Sequence, residues 1–328
     1  VTHPLVKTPP PDPSRILLIK PSSLGDVVHA LPIAHALRQH PGVKSLDWVV
    51  NPECAGVLAD NPDIGRLILF PRHSWGRLPE FARVLREERY DWVVDLQGLL
   101  RSGLLARMAN ASWRVGMSDA REGARYLYDS VAQVSAGHAV ERYSQVLGHL
   151  GVKQEGWHFP LPSGRKPLGV PEGQPFAVLH PYSRWQTKEL PAEWVSQVVR
   201  SLPEVRWVVV GRGIPLGLEG VVDLTGRTDL RELLWLLREA AFVLSTDSGP
   251  MHLVAALGRP LAVVFGPTSH EKTGPWSPSA RVFTAPVECR PCFSRRCTNS
   301  VERACIRSIS AEEIVACARQ AMAGRSLV

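Results

Sequence analysis

Short apolar runs alternate with segments of helical period through the first half of the chain. Arg15 to Lys20 (RILLIK), Leu46 to Val50 (LDWVV), Arg66 to Phe70 (RLILF) and Asp91 to Leu96 (DWVVDL) are brief and rich in β-branched residues, which predicts strands. Segments beginning at Gly25, Glu80 and Gly98 carry apolar residues at helical spacing. Such alternation predicts a doubly wound parallel sheet. The pattern stops over Phe159 to Pro175 (FPLPSGRKPLGVPEGQP), where Pro and Gly are dense and no period survives, as expected of a linker. It then restarts, with strands predicted at Phe176 to Leu179, Arg206 to Val210, Phe242 to Ser245 and Leu261 to Phe265. Helices are predicted at Pro191 to Leu202, Asp229 to Arg238, Pro250 to Leu257 and Ala311 to Met322.

The expected organisation is therefore two α/β domains, 1–160 and 176–328, joined by a linker at 161–175. A chain of 328 residues with 45% hydrophobic content can fill two cores of ordinary size. Open α/β sheets bind ligands outside the carboxyl ends of their strands, so two of them are expected to hold substrates in a cleft. The opening from Val1 to Ser14 is proline-rich and polar, and His, Arg or Asp interrupts every apolar stretch before membrane-spanning length. A soluble cytoplasmic protein is expected.

The net charge of +7 is less informative than where the arginines fall. Arg66, Arg72, Arg77, Arg83, Arg86 and Arg89 are interleaved with Glu80, Glu87 and Glu88 and read as a solvated helix face. Arg101, Arg107, Arg114, Arg121 and Arg125 have fewer acidic neighbours, which suits a surface facing phosphates, acidic sugars or an anionic leaflet. A third group lies among cysteines. Of six cysteines, Cys289, Cys292, Cys297 and Cys305 crowd one segment, and Cys289-x₂-Cys292 has the spacing of a metal knuckle. Four thiolates would suit a structural zinc, iron or iron–sulfur cluster, with reduced cysteines as the alternative.

Candidate chemistry sits just after predicted strands. Lys20-Pro21-Ser22-Ser23-Leu24-Gly25-Asp26 leads into a helix, and Ser23 with Asp26 fits a capping box. Asp26 at a helix N-terminus would stay ionised and could also accept a proton from a nucleophilic hydroxyl, while Gly25 allows close approach of a ligand. In the second domain, Thr246-Asp247-Ser248-Gly249-Pro250-Met251-His252 opens a helix whose free amides at Gly249 and beyond could bind a diphosphate. Either Ser248 or Asp247 can cap it. Asp247, repelled by a diphosphate, is expected to cap or to take a sugar hydroxyl, and His252 lies one turn inside. The loop His180 to Lys188 (HPYSRWQTK) carries Thr187 and ends in Lys188, whose charge could neutralise a leaving diphosphate without a metal. There is no Walker loop and no G-x-G-x-x-G after either first strand, which argues against kinases and simple dehydrogenases.

In this order, RILLIKPSSLGDVVHALP, DWVVDLQGLLRSGLLA, HAVERY near Glu141, HPYSRWQTKELPAEW and STDSGPMHLVAALGRPLAVVFGPT resemble glycosyltransferase family 9, the ADP-heptose:lipopolysaccharide heptosyltransferases. The resemblance spans both domains and is nearest the heptosyltransferase I type. It implies a GT-B architecture of two Rossmann-like domains, with transfer by a single inverting displacement and no catalytic cofactor. It also implies Asp26 as general base and Lys188 on the diphosphate, with Thr187, Asp247, Ser248, Gly249 and His252 at the donor. Ser23, Gly25, Arg101 and Arg121 fall where the family contacts its anionic acceptor. The implied partners are ADP-heptose, the lipopolysaccharide inner core and, transiently, the inner face of the cytoplasmic membrane. One departure is that Gly211 to Glu219 carries only Glu219 where the family has a glutamate-rich, ribose-contacting stretch. The alternatives are another nucleotide sugar or a protein acceptor and, from a different class, a nucleic-acid-binding module. The last is disfavoured because Phe293 is the single aromatic between Cys289 and Arg307.

Overall fold

The computed structural model describes residues 9–10, 12–72, 74–170 and 173–324. Val1 to Thr8 of the proline-rich opening, and Pro171 and Glu172 of the expected linker, lie outside the described residues. The chain divides into two compact units, Val1–Pro162 and Ser163–Val328.

In the first unit the elements run β1 (Arg15–Ile19), α1 (Leu24–His29), α2 (Leu31–Gln39), β2 (Ser45–Val50), α3 (Pro52–Ala55), β3 (Arg66–Leu69) and α4 (Leu78–Glu87). Then come β4 (Tyr90–Asp95), α5 (Leu100–Met108), β5 (Ala111–Met117), β6 (Ser130–Ala132) and α6 (Ala139–His149). The sheet order is β3-β2-β1-β4-β5-β6 and every pairing is parallel. This is the Rossmann order. Parallel strands are covered on both faces, which is why β1 and β4 read as nearly unbroken apolar runs. Leu17, Ile19, Val49 and Val93 pack against Phe81 and Leu85 of α4, whose outward positions are charged.

The second unit repeats the plan with β7 (Ala177–His180), α7 (Ala192–Arg200), β8 (Trp207–Val209), β9 (Val222–Asp223), α8 (Leu230–Glu239) and β10 (Phe242–Thr246). It continues through α9 (Gly249–Ala256), β11 (Leu261–Val264), α10 (His270–Thr273), β12 (Ala280–Phe283), α11 (Ala304–Arg307) and α12 (Ala311–Met322). The order β12-β11-β10-β7-β8-β9 is again all parallel. Its first strand, β7, lies between β8 and β10, just as β1 lies between β2 and β4.

Strands β5, β6, β9 and β12 and helix α6 go beyond the predicted elements. In β5 the apolar run is broken by Arg114 and Gly116. Arg114 nevertheless stays in the strand, because its guanidinium donates to the carbonyls of Ala106 and Ala109 and pairs with Asp129. At Gly116 a Cβ would stand 2.1 Å from the Tyr128 ring, so only glycine fits. β6, β9 and β12 are two to four residues long and lie at or next to sheet edges, where a periodic signal is too short to read.

Candidate active site

In a sheet of this order the chain leaves β1 and β4 in opposite directions, which opens a crevice at their carboxyl ends. The register pairs Ile19 with Asp95, so Lys20–Asp26 and Leu96–Gly98 emerge side by side. Asp95 is fully buried and accepts the backbone amides of Gln97 and Gly98 and the Tyr128 hydroxyl, fixing the second loop. Burial pushes its carboxyl above the usual range despite these bonds.

Asp26 stands in the first turn of α1. Its Oδ2 accepts the Ser23 amide at 3.0 Å and the Ser23 hydroxyl at 2.7 Å, and its Oδ1 accepts the Tyr143 phenol of α6 at 3.1 Å. Lys20 is 3% exposed, donates from Nζ to the Leu96 carbonyl at 2.9 Å, and lies 3.8 Å from Asp26 Oδ1. Burial drives the Asp26 carboxyl up, but the Lys20 ammonium and the Ser23 hydrogen bonds outweigh it and bring the pKa down to about 2. The same burial lowers the Lys20 pKa against the attraction of Asp26 and Asp95. Asp26 is therefore an ionised, oriented carboxylate as well as a helix-capping one.

A cavity of about 350 Å³ opens over this carboxylate, lined among others by Lys20, Gln97, Arg121, Arg142 and Tyr143. Arg142 pairs with Asp119, and the Arg121 amide donates to the Gly98 carbonyl. Gly98 has a φ of +66°, which favours glycine. Asp26, the expected base, and Arg121, of the expected acceptor set, thus share one cavity, with Ser23 bonded to Asp26 and Gly25 buried in α1 beside it in sequence. Arg101 is not brought there: its guanidinium lies 5.3 Å from the centre of the Phe70 ring. Lys20 and Tyr143 are the residues sequence reasoning missed, although both sit in quoted motifs, RILLIK and HAVERY.

The second unit builds a different site at the corresponding strand ends. Lys188 closes the loop after β7 in a short 3-10 turn, Gln186–Lys188, and its Nζ donates to Asp247 Oδ2 at 2.6 Å. The Thr268 hydroxyl, following β11, donates to the same oxygen at 2.6 Å, and the Thr246 hydroxyl holds the Lys188 carbonyl. The ammonium lies 4.8 Å from the centre of the Trp185 ring. Of the two expected roles for Asp247, the cap position belongs instead to Ser248, and the carboxylate holds Lys188 in place.

Ser248 has extended backbone and α9 starts at Gly249, with Pro250 in its first turn, where a missing N–H leaves no helical bond unmade. The Ser248 hydroxyl lies 3.2 Å from His180 Nδ1. Burial holds the His180 imidazole neutral, its pKa lowered to about 4. His252 is buried on α9. Thr187 points away from this group: its hydroxyl donates to the Ser294 carbonyl at 2.8 Å.

The four crowded cysteines border one small cavity beside Thr187. Among the described residues no three His, Cys, Asp or Glu side chains stand together as a ready-made metal site, so the expected knuckle is not assembled by these side-chain positions. Also among the described residues, no helix is long and apolar enough to cross a membrane.

The sequence profile of glycosyltransferase family 9 (heptosyltransferase) matches residues 79–301. The lipopolysaccharide heptosyltransferase 1 of Pseudomonas aeruginosa is 31% identical over 87% of this chain and 87% of its own length. That of Escherichia coli K12 is 30% identical over 84% of this chain and 94% of its own length. The solved structure of E. coli heptosyltransferase WaaC with ADP-2-deoxy-2-fluoro heptose superposes with a TM-score of 0.70 at 28% identity, covering 83% of this chain and 93% of that one. With two Rossmann-like units, an oriented carboxylate and a lysine at the strand ends expected for each, this chain belongs to glycosyltransferase family 9, the heptosyltransferases.

Proposed function

We propose that the protein transfers heptose from ADP-L-glycero-D-manno-heptose to the lipopolysaccharide inner core, with inversion at the anomeric carbon. The observation that carries this reading is the Asp26 carboxylate, ionised and aimed by Ser23 and Tyr143 into a cavity whose rim bears Arg121 and Arg142. Arginines at that rim suit an acidic sugar acceptor. Similarity to lipopolysaccharide heptosyltransferases 1 along most of the chain supports both donor and acceptor.

A carboxylate with a pKa near 2 is a weak base toward a free hydroxyl. It gains a proton late, once the acceptor oxygen has begun to bond the cationic anomeric carbon and has become acidic, so its charge is used chiefly in the transition state. At the donor end the diphosphate leaves with growing negative charge. In this reading Lys188, held on Asp247, and the amides at the start of α9 stabilise it without a catalytic metal.

A transient contact with the cytoplasmic face of the inner membrane extends the proposal. Helix α5 and the 3-10 turn that follows β5, Ala124–Leu127, expose Leu100, Leu104 and Tyr126 alongside Arg101, Arg107 and Arg125, a mixed apolar and cationic face suited to anionic headgroups. Mass analysis of products from ADP-heptose and an inner-core acceptor tests the activity. Sedimentation with anionic and neutral vesicles tests the contact.

A further inference from the structure

The loop that leaves β8 lies unusually close to the strand ends. Gly211 has a φ of +121°, and a Cβ there would stand 2.7 Å from the Tyr182 ring and 3.0 Å from His180 Nε2. At Gly213 a Cβ would meet the same tyrosine ring at 2.3 Å. The backbone therefore rests directly on Tyr182, as only glycine permits. The hydroxyl of this buried tyrosine is fully used. It donates its one proton to the Ile214 carbonyl at 2.9 Å and takes the Thr225 hydroxyl, 3.2 Å away, as its donor. The Gly226 amide, just past Thr225, donates to the Gly211 carbonyl at 2.8 Å. The loop is thus pinned at Gly211, Gly213 and Ile214.

This pinned loop adjoins the start of α9. The His180 ring stands between the two, with Nδ1 3.2 Å from the Ser248 hydroxyl that precedes the helix and Nε2 against Gly211. Ile214 is three residues further on, at most about 10 Å of chain, which is comparable to the reach from a diphosphate across a ribose to its base. Between Gly211 and Leu218 there is no acidic side chain to take ribose hydroxyls. Beside Arg212 and Pro215, the loop presents Ile214, which is 85% exposed although its own carbonyl is fixed. A lone apolar side chain on a loose surface loop carries little meaning, but one whose backbone is held in place is a preformed platform.

We propose that Ile214 packs against the purine face of the donor nucleotide and that Tyr182 is the residue that positions it. The base contact rests on the reading of α9 and Lys188 as the diphosphate site, whereas the hold of Tyr182 on the loop does not. An aliphatic side chain on a ring face responds to area and not to hydrogen-bonding edges, so the contact favours a purine over a smaller pyrimidine. Removing the Tyr182 hydroxyl leaves the Ile214 carbonyl and the Thr225 hydroxyl without their partner, so the loop loosens while the ring beneath it stays.

Calorimetry on the full chain with ADP, UDP and pyrophosphate separates the base from the phosphates. Ile214→Ala should weaken ADP about tenfold, UDP less, and pyrophosphate not at all. Ile214→Leu, which restores the apolar area, should recover most of the ADP affinity. Tyr182→Phe should weaken ADP roughly fivefold and raise KM for the nucleotide sugar more than it lowers turnover. It should also speed amide hydrogen exchange at Arg212 to Ile214 in the nucleotide-free protein. If Tyr182→Phe fails to fold, Gly213→Ala, whose Cβ must push the loop off the ring, makes the same change from the exposed side. Unchanged ADP binding in Ile214→Ala, or a pyrophosphate loss equal to the ADP loss, would overturn the base contact while the diphosphate reading stands. Unchanged exchange at Arg212 to Ile214 would overturn the positioning role of Tyr182. Wild-type protein that binds neither ADP nor pyrophosphate would overturn the diphosphate reading, and the base contact with it.

Discussion

Tyr143 donates its phenol to Asp26 Oδ1 at 3.1 Å from a helix 117 residues further along the chain. Burial and the Asp26 charge hold the phenol well above its ordinary pKa, so it remains a donor throughout the working range. In Tyr143→Phe the carboxylate loses one charge-assisted bond, and its pKa should rise by roughly one unit. Turnover should fall by about tenfold or less, because Ser23 still orients the other oxygen. Carboxylate titration by NMR and steady-state kinetics check the two effects. A loss as deep as that of Asp26→Asn would make Tyr143 more than a positioning residue.

Asp26→Asn keeps the shape of the helix start but accepts no proton. Turnover should drop by roughly 10²–10⁴, with ADP binding by calorimetry nearly unchanged. Acid stability supplies a second check. The folded pKa of Asp26 lies below its usual 3.8, so its contribution is complete above that value and is lost as pH falls toward 2. The Asn variant should lack that component of the acid transition. Retained activity with reduced stability would mean that Asp26 only caps α1.

Lys188→Ala leaves Asp247 buried with Thr268 alone, facing the diphosphate with its charge unopposed. ADP affinity should fall at least roughly tenfold, and turnover should fall with it. Adding Asp247→Asn should recover part of the affinity, since the two residues share one hydrogen bond and their effects cannot be additive. Additive losses in a double-mutant cycle would separate the pair. Magnesium, added or withheld, should change turnover little.

His180 is buried, with its pKa lowered from 6.5 to about 4. Between those values the unfolded chain takes up a proton that the folded protein refuses. This contribution to stability is therefore complete above pH 6.5 and disappears as pH falls to about 4, by on the order of 3 kcal/mol. His180→Gln, which can still bond Ser248, should have a flatter stability profile across that window by chemical denaturation. Parallel profiles would contradict the burial argument.

Strands buried on both faces, such as β1, β4, β10 and β11, were legible because burial writes itself as an apolar run. The edge strands β6, β9 and β12 were not, since two to four residues with few apolar positions carry too little pattern, whereas β3, also at an edge, shows as the run RLILF. Asp26 and Lys188 stand out in the sequence because each follows a strand end, the one position that local pattern can locate. Lys20 reads locally as the polar stop of a strand, and its burial depends on the Leu96 carbonyl across the sheet. Asp247 has no local sign of its lysine partner, 59 residues away. Arg101 belongs to a matching motif, and that its guanidinium lies over Phe70 is a long-range contact local pattern does not show.

The most direct measurement is product analysis after incubating the full chain with ADP-L-glycero-D-manno-heptose and a truncated lipopolysaccharide inner-core acceptor. Mass spectrometry should show one added heptose with stoichiometric release of ADP, and NMR should show the new linkage inverted relative to the donor. Asp26→Asn should show neither product within the time the wild type takes to finish. No transfer from ADP-heptose, with turnover of another nucleotide sugar or of a protein acceptor, would contradict the assigned substrates, and a linkage of retained configuration would contradict the direct displacement assisted by Asp26.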